Sequence, residues 1–131
     1  MLPAIAAAVV MVYNVPGIGS TPIMFTRELL PLIYMGVVSM WNDPLMVAAN
    51  PSLTLPNESI TIVGRSDGSG TTSVFTQALS FFSSAFNQSL GNVKLVNWGT
   101  ANISGMAVNA KGFIPTERYK VHLLIPSTTH L

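Results

Sequence analysis

Four β-branched residues, Ile60-Thr61-Ile62-Val63, run straight into Gly64-Arg65-Ser66-Asp67-Gly68-Ser69-Gly70-Thr71-Thr72. Behind that loop Phe75, Ala78, Leu79, Phe82, Ala85 and Phe86 recur at three- and four-residue steps. The first run reads as a strand, and the later spacing predicts a single helix of about four turns with one buried face. A strand, a Gly/Ser turn and a helix in that order form a cradle for an anion. The first N–H groups of the helix have no partner within it, and the aligned peptide dipoles place partial positive charge on them. Gly68 and Gly70 keep Cβ atoms away from the backbone amides, while Ser69, Thr71 and Thr72 add hydroxyls. Arg65 supplies a fork of parallel N–H donors suited to a phosphate or carboxylate edge, and Asp67 is spaced to hold that guanidinium.

Other uses of these residues fit less well. A Walker loop needs a Lys after the glycines, and none is present. A dinucleotide fingerprint needs a third Gly where Ser73 stands, and an acidic residue about 20 positions further on. Gly64-Arg65-Ser66-Asp67-Gly68 has the pattern of a nucleophile elbow with Ser66 as nucleophile, and Glu117 with His122 or His130 follows in hydrolase order. Against a serine hydrolase, Asp67 puts a carboxylate beside the amide that would stabilise the oxyanion. A plain helix cap, with no ligand, also uses Ser, Thr and Gly at these positions.

Composition narrows the rest. With 131 residues, 49% hydrophobic and 8% charged, the chain is long enough for one domain with a real core. A net charge of +1 lacks the dense basic face that nucleic-acid binding needs. There is no cysteine, so disulfides, thiolate metal sites and cysteine nucleophiles are excluded. The imidazoles of His122 and His130 and the five carboxylates have no metal-ligand spacing, so no metal site is expected; separately, no cofactor and no enzymatic activity are expected. The apolar run from Leu2 to Tyr13 is shorter than the roughly 20 residues a membrane span requires, and no Lys or Arg precedes it as in a signal peptide. It reads as a buried strand over Ala7–Tyr13, closed by the turn former Asn14-Val15-Pro16-Gly17.

Thr26 is an N-cap for a helix in which Pro31 must lie in the first turn, and Gly36 is its stop. Asp43 caps a second helix with Pro44 at its first position, ending by Asn50-Pro51. Val93–Val96 and Val121–Ile125 read as further strands. Alternating strands and helices favour an α/β layer with a partly parallel sheet.

Arg65-Ser66-Asp67-Gly68-Ser69-Gly70-Thr71-Thr72 resembles the signature of the phosphate-binding proteins that serve ABC-type phosphate transporters. Val10-Met11-Val12-Tyr13-Asn14-Val15-Pro16-Gly17 is similar to that family's strand and Tyr-Asn-x-Pro-Gly turn. Ile33-Tyr34-Met35-Gly36 followed by Trp41-Asn42-Asp43-Pro44 resembles its Gly-x-x-x-x-Trp-Asn-Asp-Pro stretch, and Val96-Asn97-Trp98 falls where the family has Asn-Trp. The match runs in order over residues 9–98. The resemblance implies the periplasmic-binding-protein-like (type II) fold, two α/β lobes joined by a hinge with the anion closed between them, here a single lobe with a mixed, mostly parallel sheet flanked by helices. It implies phosphate contacts from Arg65, Ser69, Gly70 and Thr71, with Asp67, Gly68 and Thr72 in support.

The departures from the family pattern are equally specific. Little sequence precedes the Tyr-Asn-x-Pro-Gly turn, where the family has its first lobe and the carboxylate that accepts the phosphate proton. Residues 106–131 diverge as a tail without the family's glycine-rich run. The whole of 1–131 thus reads as one incomplete lobe, with weak and poorly selective anion binding unless a second chain or another copy supplies the facing wall. A structural or assembly lobe without ligand is the alternative. The family works outside the cytoplasmic membrane, so an extracellular or periplasmic location is expected, and Asn57, Asn87 and Asn102 stand in glycosylation acceptor patterns.

Overall fold

The computed structural model describes residues 9–64, 68–97, 107–108 and 120–124. Four strands form one sheet: β1 (Val10–Asn14), β2 (Thr61–Gly64), β3 (Ala107–Val108) and β4 (Lys120–Leu124), in the order β1-β4-β2-β3. β4 runs antiparallel to β1, with Val12 opposite His122, and parallel to β2, with Ile62 opposite Val121. β2 and β3 are parallel. The sheet is therefore mixed and mostly parallel, and the latest strand in sequence is inserted between the first two.

Among the described residues four helices accompany it: α1 (Leu29–Tyr34), α2 (Pro44–Ala49), α3 (Gly70–Phe82) and α4 (Ser84–Ser89). Local chemistry sets the ends of the first two, although the N-cap of α1 is Glu28, with no side-chain cap bond, and not Thr26 as expected. The Thr26 hydroxyl and carbonyl both accept from the Leu29 N–H at 3.2 Å, and the carbonyl also takes the Leu30 N–H at 3.0 Å. Pro31 then falls in the first turn, where it breaks no intrahelical bond. Gly36, at φ +74°, ends α1, with its N–H on the Ile33 carbonyl and the Val37 N–H on the Leu32 carbonyl. These paired bonds satisfy carbonyls that the helix end leaves open, and the left-handed residue they require is a glycine. Asp43 caps α2 through Oδ1, which accepts from the Leu45 N–H at 2.9 Å, and Pro44 occupies the first helical position.

One core cluster joins these elements. Trp41, Met46, Leu79 and Phe86 are wholly buried, and Ile33, Val38 and Ile62 are nearly so. Tyr34 of α1 meets Phe75 of α3 edge-to-face at 4.8 Å between ring centroids, a geometry that aromatic quadrupoles favour. The Tyr34 hydroxyl donates to the Met11 sulfur of β1 at 3.7 Å, and burial pushes its phenol far above the ordinary value of 10. The loop between β1 and α1 is held from two sides. The Tyr13 hydroxyl accepts the Ile23 N–H at 2.8 Å, and buried Asn50 accepts from the Met24 N–H at 2.7 Å while donating to the Met24 and Met46 carbonyls.

The structure departs from the sequence expectations at further places. β1 starts at Val10 and ends at Asn14; Ala7 and Ala8 lie outside the described residues. The single helix expected through Phe86 is two helices, broken at Ser83, whose backbone is extended (φ −142°, ψ 119°). Ser83 closes α3 with its N–H and caps α4 by accepting the Phe86 N–H at 3.2 Å. The break resets the phase of the apolar face. Phe75, Leu79 and Phe86 are buried, whereas Phe82 and Ala85 are exposed. Val93–Val96, expected as a strand, is not one; the Thr76 hydroxyl takes the Val93 N–H and C=O, and the Ser69 N–H donates to the Lys94 carbonyl. The last strand is found at Lys120–Leu124, one residue earlier than expected.

Candidate functional site

The turn after β2 delivers the chain to the start of α3, as the sequence pattern requires. Arg65, Ser66 and Asp67 lie outside the described residues, and so do Glu117 and His130. Of the predicted anion ligands the structure describes Ser69, Gly70 and Thr71, together with Gly68 and Thr72. All five fall on the last residues before α3 and its first turn. His122 sits inside the sheet on β4, opposite Val63, and among the described residues no catalytic triad is assembled.

Ser69 is the N-cap. Its extended backbone (φ −130°, ψ 132°) turns the chain into the helix, and its hydroxyl accepts the Thr72 N–H at 3.4 Å. The Ser69 N–H is itself occupied: it donates to the Lys94 carbonyl at 2.9 Å. The next two N–H groups, of Gly70 and Thr71, stand at positions where no helical acceptor exists, and among the described residues they have none. Gly70 is exposed and Thr71 half-buried. A Cβ at Gly68 or Gly70 would meet nothing within 4 Å, so open space lies over this edge of the turn. Neither glycine has a positive φ.

The helix that carries the cradle is 13 residues long, enough for its dipole to concentrate charge at the first turn. Beneath the cap the buried face of α3 is polar before it is apolar. Ser69, Thr72 and Thr76 are all buried, at 3%, 5% and 0% exposure. The Thr76 hydroxyl accepts the Val93 N–H at 3.1 Å and lies 3.0 Å from the Val93 carbonyl and 3.2 Å from that of Ser73. Its one proton serves those two acceptors, with Val93 the nearer. The Ser73 hydroxyl adds a bond to Asn92 at 3.3 Å. The segment Asn92–Val96 is thus strapped along α3, and its Lys94 carbonyl reaches the cap. Sequence reading missed Thr76 and this strap. The available signal was Ser69, Thr72 and Thr76 at three- and four-residue spacing on one helix face.

Two described cations flank α3. Arg27 lies over the Phe82 ring at 5.6 Å, at the far end of the helix from the cradle. Lys94 is exposed beside Ser69. Among the described residues no group of three or more His, Asp or Glu side chains has the arrangement of a metal site, and no helix is long and apolar enough to cross a membrane.

A mixed sheet flanked by helices, with a glycine-flanked helix start after a parallel strand, defines an α/β lobe. The chain matches the PBP superfamily domain over residues 2–128 and belongs to that family. It is 42% identical over 112 residues to the phosphate-binding protein PstS of Methanocaldococcus jannaschii, a stretch covering 84% of this chain and 28% of that protein. PstS of Haemophilus influenzae is 43% identical over 98 residues (75% of this chain, 29% of that protein). PstS of Pasteurella multocida is 39% identical over 98 residues (75% and 28%). The chain spans less than a third of the length of these relatives. The resemblance to phosphate-binding proteins read from the motifs is borne out.

Proposed function

We propose that this chain binds inorganic phosphate, or a similar oxyanion, at the turn between β2 and α3, as part of the substrate-binding component of an ABC-type phosphate transporter. The observation that carries this reading is the open, glycine-flanked start of α3 in a chain 42% identical to a phosphate-binding protein. In this reading Arg65 brings a two-pronged charge, steadied by Asp67. The Ser69 and Thr71 hydroxyls and the Gly70 and Thr71 N–H groups complete the contact, with Gly68 and Thr72 shaping the turn. Such a site binds without transforming its ligand, so no ester turnover dependent on Ser66 is expected. An extracellular or periplasmic location follows from the same reading.

Magnitudes bound what this surface does alone. Charge-assisted bonds give about 1.5–3 kcal/mol each where desolvated, and less beside open water. Association costs at least about 4 kcal/mol in lost freedom. The balance places Kd near or above millimolar, about −4 kcal/mol. Tighter binding needs a facing wall, from elsewhere in a longer protein or from a second chain. The exposed side chains of Met24 and Val37 supply apolar surface for pairing, and a monomer by light scattering at high concentration would count against it.

Calorimetric titration with phosphate and then sulfate at low salt, with Arg65→Ala as control, tests the reading. Heat that the variant abolishes supports it, and Kd below about 10 μM, some 7 kcal/mol, would mean that the wall is present. No saturable binding at phosphate concentrations well above millimolar would reassign the chain to a structural or assembly lobe.

A further inference from the structure

We infer that Thr76, two turns down α3 from the anion cradle, is a positioning residue for phosphate binding, acting through the strap Asn92–Val96; this rests on the function proposed above. The chain of contacts is continuous. Thr76 is wholly buried, and its hydroxyl holds both backbone polar groups of Val93, as acceptor at 3.1 Å and at donor distance of 3.0 Å. The neighbouring carbonyl, that of Lys94, takes the Ser69 N–H at 2.9 Å. That bond removes the Ser69 amide from the set available to ligand and fixes the peptide plane preceding the helix. With Ser69 so fixed, its hydroxyl stays over the Thr72 N–H, and the Gly70 and Thr71 amides keep one direction. Ser73 and Asn92 add a second tie between strap and helix.

A strap secured this way behaves differently from a β-strand. A strand draws on a ladder of bonds to a neighbour, whereas Val93 depends on one side chain for both of its backbone groups. Removing that hydroxyl leaves the Val93 N–H and C=O without partners at a part-buried position, so the strap shifts to reach water. The Lys94 carbonyl shifts with it. Sites of this kind lose affinity when a supporting shell loosens, because the ligand must then order groups that were previously held.

The experiment compares Thr76→Val, which keeps the shape without the hydroxyl, with Thr76→Ser, which keeps the hydroxyl without the methyl. Phosphate titration and backbone amide exchange at Ser69 are measured for both against the parent chain. Thr76→Val is expected to weaken phosphate about tenfold, equivalent to about 1.4 kcal/mol, and to speed exchange at Ser69. Thr76→Ser is expected to restore both towards the parent values. A folded Thr76→Val with unchanged affinity and unchanged Ser69 exchange overturns the inference, as does a Thr76→Ser as defective as the valine. If the parent chain binds no phosphate, the function proposed above fails, and Ser69 exchange in the two variants still decides the positioning role.

Discussion

Replacing Ser69 by Ala separates the two roles that the start of α3 assigns to one hydroxyl. As a cap, the hydroxyl accepts the Thr72 N–H at 3.4 Å, beyond the usual hydrogen-bond distance of about 2.7–3.2 Å. Its stability contribution therefore belongs at the low end of the capping range, about 0.5–1 kcal/mol. For a domain of this size that is a fall in Tm of roughly 2–4 °C. The backbone bond from Ser69 to Lys94 survives the substitution, so the turn keeps its course. As a ligand, the hydroxyl donates to a charged acceptor, and its loss costs about 1.5–3 kcal/mol, or roughly 10- to 100-fold in phosphate affinity. Thermal unfolding and calorimetric titration of the same samples read the two quantities separately. Ser69→Asp sharpens the comparison, because aspartate is as good a cap but places negative charge where the anion sits. Stability is expected to fall for alanine and recover for aspartate, while phosphate binding falls for alanine and disappears for aspartate. Unchanged affinity in Ser69→Ala, or binding retained in Ser69→Asp, would refute the assignment and leave Ser69 as a cap alone.

Three further outcomes are expected. Asn50→Ala removes a buried side chain with three short hydrogen bonds to Met24 and Met46; at about 1 kcal/mol each, less what water restores at Met24, the loss is roughly 2–3 kcal/mol, measurable by urea unfolding. Gly36→Ala forces a Cβ onto a residue at φ +74° and should cost about 1–2 kcal/mol in the same assay, whereas Gly70→Ala, with open space around it, should leave stability nearly unchanged. Because burial raises the folded-state pKa of Tyr34 above its ordinary value of 10, its contribution is complete below pH 10 and is lost as pH rises through the folded-state value, when the unfolded chain releases a proton that the native state retains. Alkaline unfolding followed by circular dichroism should be less steep in Tyr34→Phe than in the parent chain.

The sequence by itself determined the features whose causes are local. Asp43-Pro44 starts α2, Gly36 stops α1 and Thr26 sets Pro31 in a first turn, because caps, a fixed proline φ and a left-handed glycine act within four residues. The β-branched run before a Gly/Ser segment and an apolar-periodic helix is local in the same sense, so β2 and the start of α3 at Ser69-Gly70 were legible without coordinates. Tertiary structure alone decided the break at Ser83. The spacing of Phe82, Ala85 and Phe86 fits one continuous helix, and packing of Phe86 into the core, with the Ser83 cap, accompanies the broken form. It also decided the fate of Val93–Val96, whose β propensity is outweighed by the Thr76 hydroxyl and the Ser69 amide arriving from another element. The insertion of β4 between β1 and β2 is of the same kind, since strand order depends on which partners meet across the chain. Pairing and burial are properties of distant residues brought together, and no short window of sequence carries them.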